Sequence, residues 1–142
     1  TFTGTLDAKG RVCIPAPYRD ILAAQNTAGV YVCPSFSQSA LECFGADVLN
    51  SFHQQQANLD PFFSQEYDDK TFAGLSRTQL LPRDINGRVV LTDTMVAHAD
   101  LKDRVTFVGM GRKFQIWDSE KFAAYQAERL KRALALRNGG TI

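Results

Sequence analysis

An eight-residue pattern occurs twice in this chain. Asp7-Ala8-Lys9-Gly10-Arg11-Val12-Cys13-Ile14 returns 77 positions later as Asp84-Ile85-Asn86-Gly87-Arg88-Val89-Val90-Leu91, with Asp, Gly and Arg at the same offsets. Asp at the first position and Gly at the fourth suit a type I turn, whose Asp carboxylate accepts a backbone N–H two residues on. The Gly supplies the left-handed residue that turns a type I turn into a hairpin loop with a bulge. Along the strand that follows, Val12 and Ile14 face one way and Arg11 and Cys13 the other. Two such units predict an internally symmetric β-structure with one Arg per half in an equivalent place.

The rest of the chain repeats the same plan. Residues 1–6 read as a strand with Phe2, Gly4 and Leu6 on one face, and 11–14 as its return strand. Pro15 and Pro17 suit the first turn of a helix whose apolar face is Tyr18, Ile21 and Leu22. Short strands are predicted over 30–33 and 40–44. A helical middle follows: 47–59 carries Val48, Phe52 and Leu59, and Asp60-Pro61 reads as the cap and first-turn proline of a helix through Phe63, Tyr67 and Leu75.

The plan then recurs, with a strand over 78–83, a turn over 84–87 and a return strand over 88–91. Thr92 caps a short helix through Met95, Val96 and Ala99, and Met95 lies 77 positions beyond Tyr18. The last strands fall at 105–108 and 113–117, and 114–117 matches 41–44 at an offset of 73. A helix over 119–136 carries Phe122, Tyr125, Leu130 and Leu134 opposite Arg129, Lys131, Arg132 and Arg137, and Asn138-Gly139-Gly140 stops it. Pro82, just ahead of the second motif, fits only an edge strand or a bulge.

This gives an α+β chain in one compact unit: a first repeat over 1–49, a helical connector over 50–75, a second repeat over 76–122 and a C-terminal helix over 123–142. One half is too short to bury a good core alone. Two halves are therefore expected to close a shared barrel, which also removes exposed strand edges.

Several function classes are disfavoured. No apolar run approaches the roughly 18 residues of a membrane span. Cys13, Cys33 and Cys43 are odd in number and lack C-x-x-C spacing, against both a disulfide framework and a zinc site. All three sit in apolar runs and read as small buried hydrophobes in a reducing cytoplasm. His53 and His98 have no ligand spacing, and Asp68-Asp69 point in different directions on a helix. Gly109-Met110-Gly111 before Arg112-Lys113 lacks the third Gly and the following helix of a dinucleotide site, and reads as a hairpin turn. No nucleophile has a recognisable setting, so no enzyme, metal or cofactor is expected.

Two equivalent arginines make a paired basic site, which suits a repetitive ligand such as duplex DNA. The formal net charge is only +1 and the pI about 7.7, so any such site rests on a local patch. Arg11 and Arg88 could instead pair with Asp7 and Asp84 and simply fix their own turns, a reading that weighs more for Arg88 than for Arg11, where Lys9 adds charge, and the two roles can coexist. Val90 shares a strand face with Arg88, which suggests a face partly covered by another subunit.

The two D-x-x-G-R motifs, the run from Lys9-Gly10-Arg11 to Pro17-Tyr18-Arg19, and the stretch Phe107-Val108-Gly109-Met110-Gly111-Arg112-Lys113-Phe114-Gln115-Ile116-Trp117-Asp118 resemble the MraZ family of the SpoVT–AbrB superfamily of bacterial DNA-binding proteins, over nearly the whole chain. The resemblance implies a swapped-hairpin, AbrB-like β-barrel formed by two internal repeats with flanking helices. It also implies ring-shaped homo-oligomers in the cytoplasm and nucleoid. These would regulate the division and cell-wall gene cluster by binding double-stranded DNA at repeated promoter sites.

The basic residues that would meet DNA are Lys9, Arg11 and Arg88, on turns set by Asp7, Gly10, Asp84 and Gly87. Asn86 stands where Lys9 does, so the second patch is expected to be weaker and its hairpin to serve assembly more than base contact. The alternative is a structural ring protein that binds protein partners only.

Overall fold

In the computed structural model, which describes residues 1–138, each motif forms its loop but its strands then part company. Strands β1 (Phe2–Thr5) and β2 (Arg11–Cys13) flank the first loop. Gly10 N–H donates to Asp7 O at 3.0 Å and Asp7 N–H to Arg11 O at 3.1 Å. Beyond that bond the expected return pairing is absent. β1 instead pairs antiparallel with β7 (Arg104–Gly109), and β2 with β6 (Arg88–Val90).

The second copy does the same. Gly87 N–H donates to Asp84 O at 3.0 Å and Asp84 N–H to Arg88 O at 2.9 Å, while β5 (Gln79–Pro82) pairs with β3 (Gly29–Pro34). Each half lends its first strand to the other because neither has enough surface to cover its own apolar face.

With β4 (Leu41–Phe44) and β8 (Phe114–Asp118), the larger sheet has the order β1-β7-β8-β4-β3-β5, and β2-β6 forms a separate ribbon. A pseudo-twofold axis relates the halves. The ribbon centres on Val12 opposite Val89, and β4–β8 centres on Glu42 opposite Gln115, the same offsets of 77 and 73 that the sequence shows. Ile14 N–H donates to Gly87 O at 3.0 Å, and its counterpart Leu91 N–H to Gly10 O at 2.8 Å. Hydrogen bonding among the described residues closes no barrel: β1 and β5 are the outer strands of the larger sheet.

Pro82 therefore sits on an edge strand, where its missing N–H is tolerated. The Gly29 carbonyl opposite accepts instead from Arg83 Nη1 at 2.7 Å. The backbones approach so closely here that a Cβ on Gly29 would lie 1.9 Å from Leu81 O. Gly29→Ala is expected to cost about 1–3 kcal/mol, the usual range for forced overpacking. A urea midpoint equal to wild type would show that β5 can move away freely.

One core takes residues from both halves. Val12, Ile14, Val30, Val32, Leu41, Val89, Val105, Phe107 and Ile116 are each at most 1% exposed. Helix α1 (Ala16–Ala24) has Pro17 in its first turn and buries Leu22, but Ile21 points outward at 54% exposure. Helix α4 (Asp93–Ala99) is capped by Thr92, whose hydroxyl accepts from Met95 N–H at 3.2 Å, and it buries Met95 and Ala99.

Between the halves lie α2 (Ala46–Gln56), α3 (Gln65–Ala73) and a 3-10 turn (Leu75–Arg77). Asp60 accepts from the N–H groups of Phe62 and Phe63, as a cap would. The helix nevertheless starts later, where the Ser64 hydroxyl accepts from Tyr67 N–H at 3.1 Å. Phe63 thus lies outside it and is exposed.

Helix α5 (Ser119–Arg137) starts at Asp118, whose carboxylate accepts from Lys121 N–H at 3.3 Å. Phe122 and Tyr125 pack on Trp117, while Leu130 and Leu134 are exposed. The glycines expected to stop this helix lie outside the described residues.

Cys33 and Cys43 are buried as expected, but Cys13 is exposed, because strand alternation puts it on the outer face with Arg11. Among the described residues no helix is long and apolar enough to cross a membrane.

Candidate nucleic-acid interface

The two loops are built by the same three bonds. Asp7 Oδ1 accepts from the N–H groups of Lys9 and Arg11, both at 2.9 Å, and Oδ2 from Arg11 Nε at 2.7 Å. Asp84 Oδ1 accepts from Asn86 N–H at 2.8 Å and Arg88 N–H at 2.9 Å, and Oδ2 from Arg88 Nε at 2.9 Å. Gly10 and Gly87 hold φ of +80° and +78°, which glycine adopts without penalty. Pairing with the turn Asp is thus realised in both copies.

It leaves the outer edge of each fork open. Among the described residues the Nη groups of Arg11 and Arg88 make no hydrogen bond, so four N–H donors per guanidinium remain for a ligand. Each arginine both fixes its loop and keeps its planar fork presented.

The bond from the Arg11 N–H holds the Asp7 carboxyl below its usual range, and the bond from the Arg88 N–H does the same for Asp84. A carboxylate whose pKa is depressed by folding contributes stability above its unfolded pKa and loses it as pH falls through the folded value. The Arg11 and Arg88 amide resonances are therefore expected to hold their positions from pH 7 down to near 4. They should move together only below the ordinary value of 3.8. An NMR titration with a midpoint above that value would contradict the geometry, and Asp7→Asn should abolish the transition at Arg11 alone.

The register decides how the two arginines relate. Arg11 stands opposite Val90 and Cys13 opposite Arg88. Directly paired residues share a face, so all four lie on the outer face of the ribbon, while Val12 and Val89 lie beneath in the core. The pseudo-twofold axis passes between the guanidiniums. Val90 remains 55% exposed, so the described residues leave this part of the face open.

Sequence reasoning missed Arg19. This α1 residue lies against the second loop, with Nη1 donating to Asn86 O at 3.3 Å. A Cβ on Gly87 would fall 2.4 Å from the same Nη1. Its counterpart at an offset of 77 is Val96, so the charge is particular to the second loop. Asn86 stands where the first loop has Lys9, and Arg19 places a cation beside that loop from α1. The only sequence signal was a basic residue in the first turns of an amphipathic helix, which is common on solvated faces.

Arg112, Lys113 and Arg129 are engaged elsewhere. Met110 N–H donates to Lys113 O at 2.8 Å, so the Gly-flanked segment is the expected hairpin turn. Arg112 Nη2 donates to Ser51 Oγ at 2.7 Å, and Lys113 pairs with Glu42 at 3.0 Å. On α5, Arg129 donates to Tyr125 Oη at 2.9 Å and lies over its ring.

Among the described residues no cluster of His, Cys, Asp or Glu could hold a metal. An apolar cavity of about 480 Å³ is lined by Cys33, Phe44, Phe52 and Lys70, and burial there pushes the Cys33 thiol pKa up.

Comparison with known proteins settles the family. A family model described as "MraZ protein, putative antitoxin-like" matches residues 75–136, which include the second loop. A protein of Azorhizobium caulinodans named "Transcriptional regulator MraZ" is 41% identical over 137 residues, covering 96% of this chain and 87% of the relative.

The chain belongs to the MraZ family. Proteins of the same name from Methylocella silvestris, 41% identical, and Xanthobacter autotrophicus, 40% identical, each align over 96% of this chain and over 82% and 87% of their own lengths. The likeness to MraZ proteins thus spans nearly all of this chain, well beyond the stretch that the family model matches.

Proposed function

We propose that this MraZ-family chain is a sequence-specific, DNA-binding transcriptional regulator. It binds double-stranded DNA at repeated promoter sites of the division and cell-wall gene cluster, in the cytoplasm and nucleoid. Arg11 and Arg88 are the principal contacts, with Lys9 in the first loop. The observation that carries this reading is the pair of Asp-braced guanidiniums on one outer face of the β2–β6 ribbon, with their Nη groups open. The major groove of B-DNA admits a two-stranded ribbon, and an Arg fork matches both guanine O6/N7 and phosphate. The relatives' printed name, "Transcriptional regulator MraZ", supports the regulatory role.

In this reading residues 1–49 and 76–122 are two SpoVT–AbrB-like repeats, joined by the connector over 50–75 and followed by the C-terminal helix over 123–142, in a swapped-hairpin barrel. The exchange of β1 and β5 between the halves supports it. A near-neutral chain offers few cations per site. A ring-shaped homo-oligomer would engage several repeats at once, and linked contacts multiply affinity through effective concentration. Exposed Phe62, Phe63 and Phe72 within the connector support such an assembly.

The test is fluorescence anisotropy of the full chain with the duplex immediately upstream of its own coding sequence, against a shuffled duplex, across a salt series. Tight, sequence-dependent binding that weakens steeply with salt is expected. Equal, weak binding to both duplexes would leave a ring protein with protein partners only.

A further inference from the structure

The two loops differ in one way that folding does not explain. Ile85 at the tip of the second loop is 98% exposed, while the first loop carries Ala8 at the equivalent place. A β-branched residue in a turn that any small residue could fill loses its apolar surface to water and gains no packing. Its position is nevertheless fixed. Asp84 holds the N–H groups on the C-terminal side of Ile85, and Arg19 grips the carbonyl of Asn86. The result is an apolar side chain at the tip of a braced loop that also holds Arg88 and meets Arg19.

On the function proposed above, on which this step rests, we infer that Ile85 reads the C5-methyl group of a thymine in the major groove. The positive charge of Arg88 and Arg19 on the same loop matches phosphate and base-edge acceptors and disfavours an apolar protein partner at this tip. In duplex DNA the one exposed methyl group among the base edges is that of thymine, and it lies in the major groove. This side chain is present in one loop of two, so each protomer reads its site asymmetrically: Lys9 supplies charge on one side of the pseudo-dyad and Ile85 supplies apolar contact on the other.

The experiment exchanges single thymines for deoxyuridine, which removes only the methyl group, along the upstream duplex. Wild type, Ile85→Ala and Lys9→Ala are titrated by anisotropy. One or more exchanged positions are expected to weaken wild type by about fourfold each, the worth of one methyl-sized apolar group. Ile85→Ala should bind those duplexes and the thymine duplex equally, whereas Lys9→Ala should keep the wild-type sensitivity.

Specific wild-type binding indifferent to every exchange would overturn the inference and leave the DNA-binding reading standing. So would a loss that persists undiminished in Ile85→Ala. Equal affinity for the shuffled duplex would instead remove the DNA-binding reading itself, and the inference with it. Because Ile85 has no packing partner to lose, its replacement is expected to leave the thermal midpoint unchanged.

Discussion

Phe107→Ala is expected to remove about 3–5 kcal/mol of stability, the range for truncating a fully buried Phe. Phe107 is 1% exposed and lies in β7 between Phe2 of β1 and Ile116 of β8. Its ring tilts against Phe114 at 6.4 Å, and a Cβ added to Gly4 would come within 3.1 Å of it. The residue thus sits where a strand lent by the first half meets the sheet of the second. Truncation would leave a cavity that neither half can close alone.

Against a typical total of 5–15 kcal/mol, the loss would bring the chain near its unfolding threshold at 25 °C. The check is a urea titration at fixed protein concentration, so that any self-association does not confound the midpoint. An unchanged slope with a lower midpoint is expected. Phe63→Ala, at 90% exposure, is the control and should stay within about 0.5 kcal/mol of wild type. A Phe107→Ala midpoint equal to that control would mean that the shared core does not carry the fold.

Replacing both Arg11 and Arg88 with Ala is expected to abolish sequence-specific DNA binding while leaving the chain folded. Each guanidinium that reads a base edge is worth about 1–3 kcal/mol, and each that meets a phosphate steepens the salt dependence by about one unit of slope. Both losses fall on one face of the ribbon. Both arginines are partly exposed and outside the core, so the thermal midpoint should stay near that of wild type.

The Lys variants separate the possible contacts. Arg11→Lys keeps the charge but loses the planar fork. Retained specificity would therefore mean a simple phosphate contact, and lost specificity at preserved non-specific affinity would mean base reading. Wild-type affinity in a folded double variant would end the role assigned to these loops.

Much of the local chemistry of this site was legible in the sequence because it is encoded within five residues. Asp7 reaches the N–H groups two and four positions on and the guanidinium of Arg11. Those bonds need only the spacing of Asp, Gly and Arg, so both loops could be drawn from the motif alone. The same holds for the Thr92 cap and for the edge position that Pro82 demanded. Asp60 shows the limit of local reasoning. It makes the bonds of a cap, yet Ser64 starts the helix, because two capping residues four apart compete and the sequence does not rank them.

Arg19 and Cys13 lay beyond that reach. Arg19 meets Asn86 across 67 positions, and no periodicity links a residue of α1 to the loop of the other half. Cys13 occupies an apolar run, but strand alternation puts it outside once Val12 is committed to the core.

The repeat, its offsets of 77 and 73, the turn chemistry and the identity of the basic pair all follow from the order of residues. Which strands pair, and with that pairing whether Arg11 and Arg88 share a face, emerges from the folded arrangement alone. The physical reason is that a strand's hydrogen-bonding edge is nearly the same for every sequence, so local residues do not name its partner. The partner is selected by which exchange of strands buries Val12, Val89 and Phe107 together, a property of both halves at once.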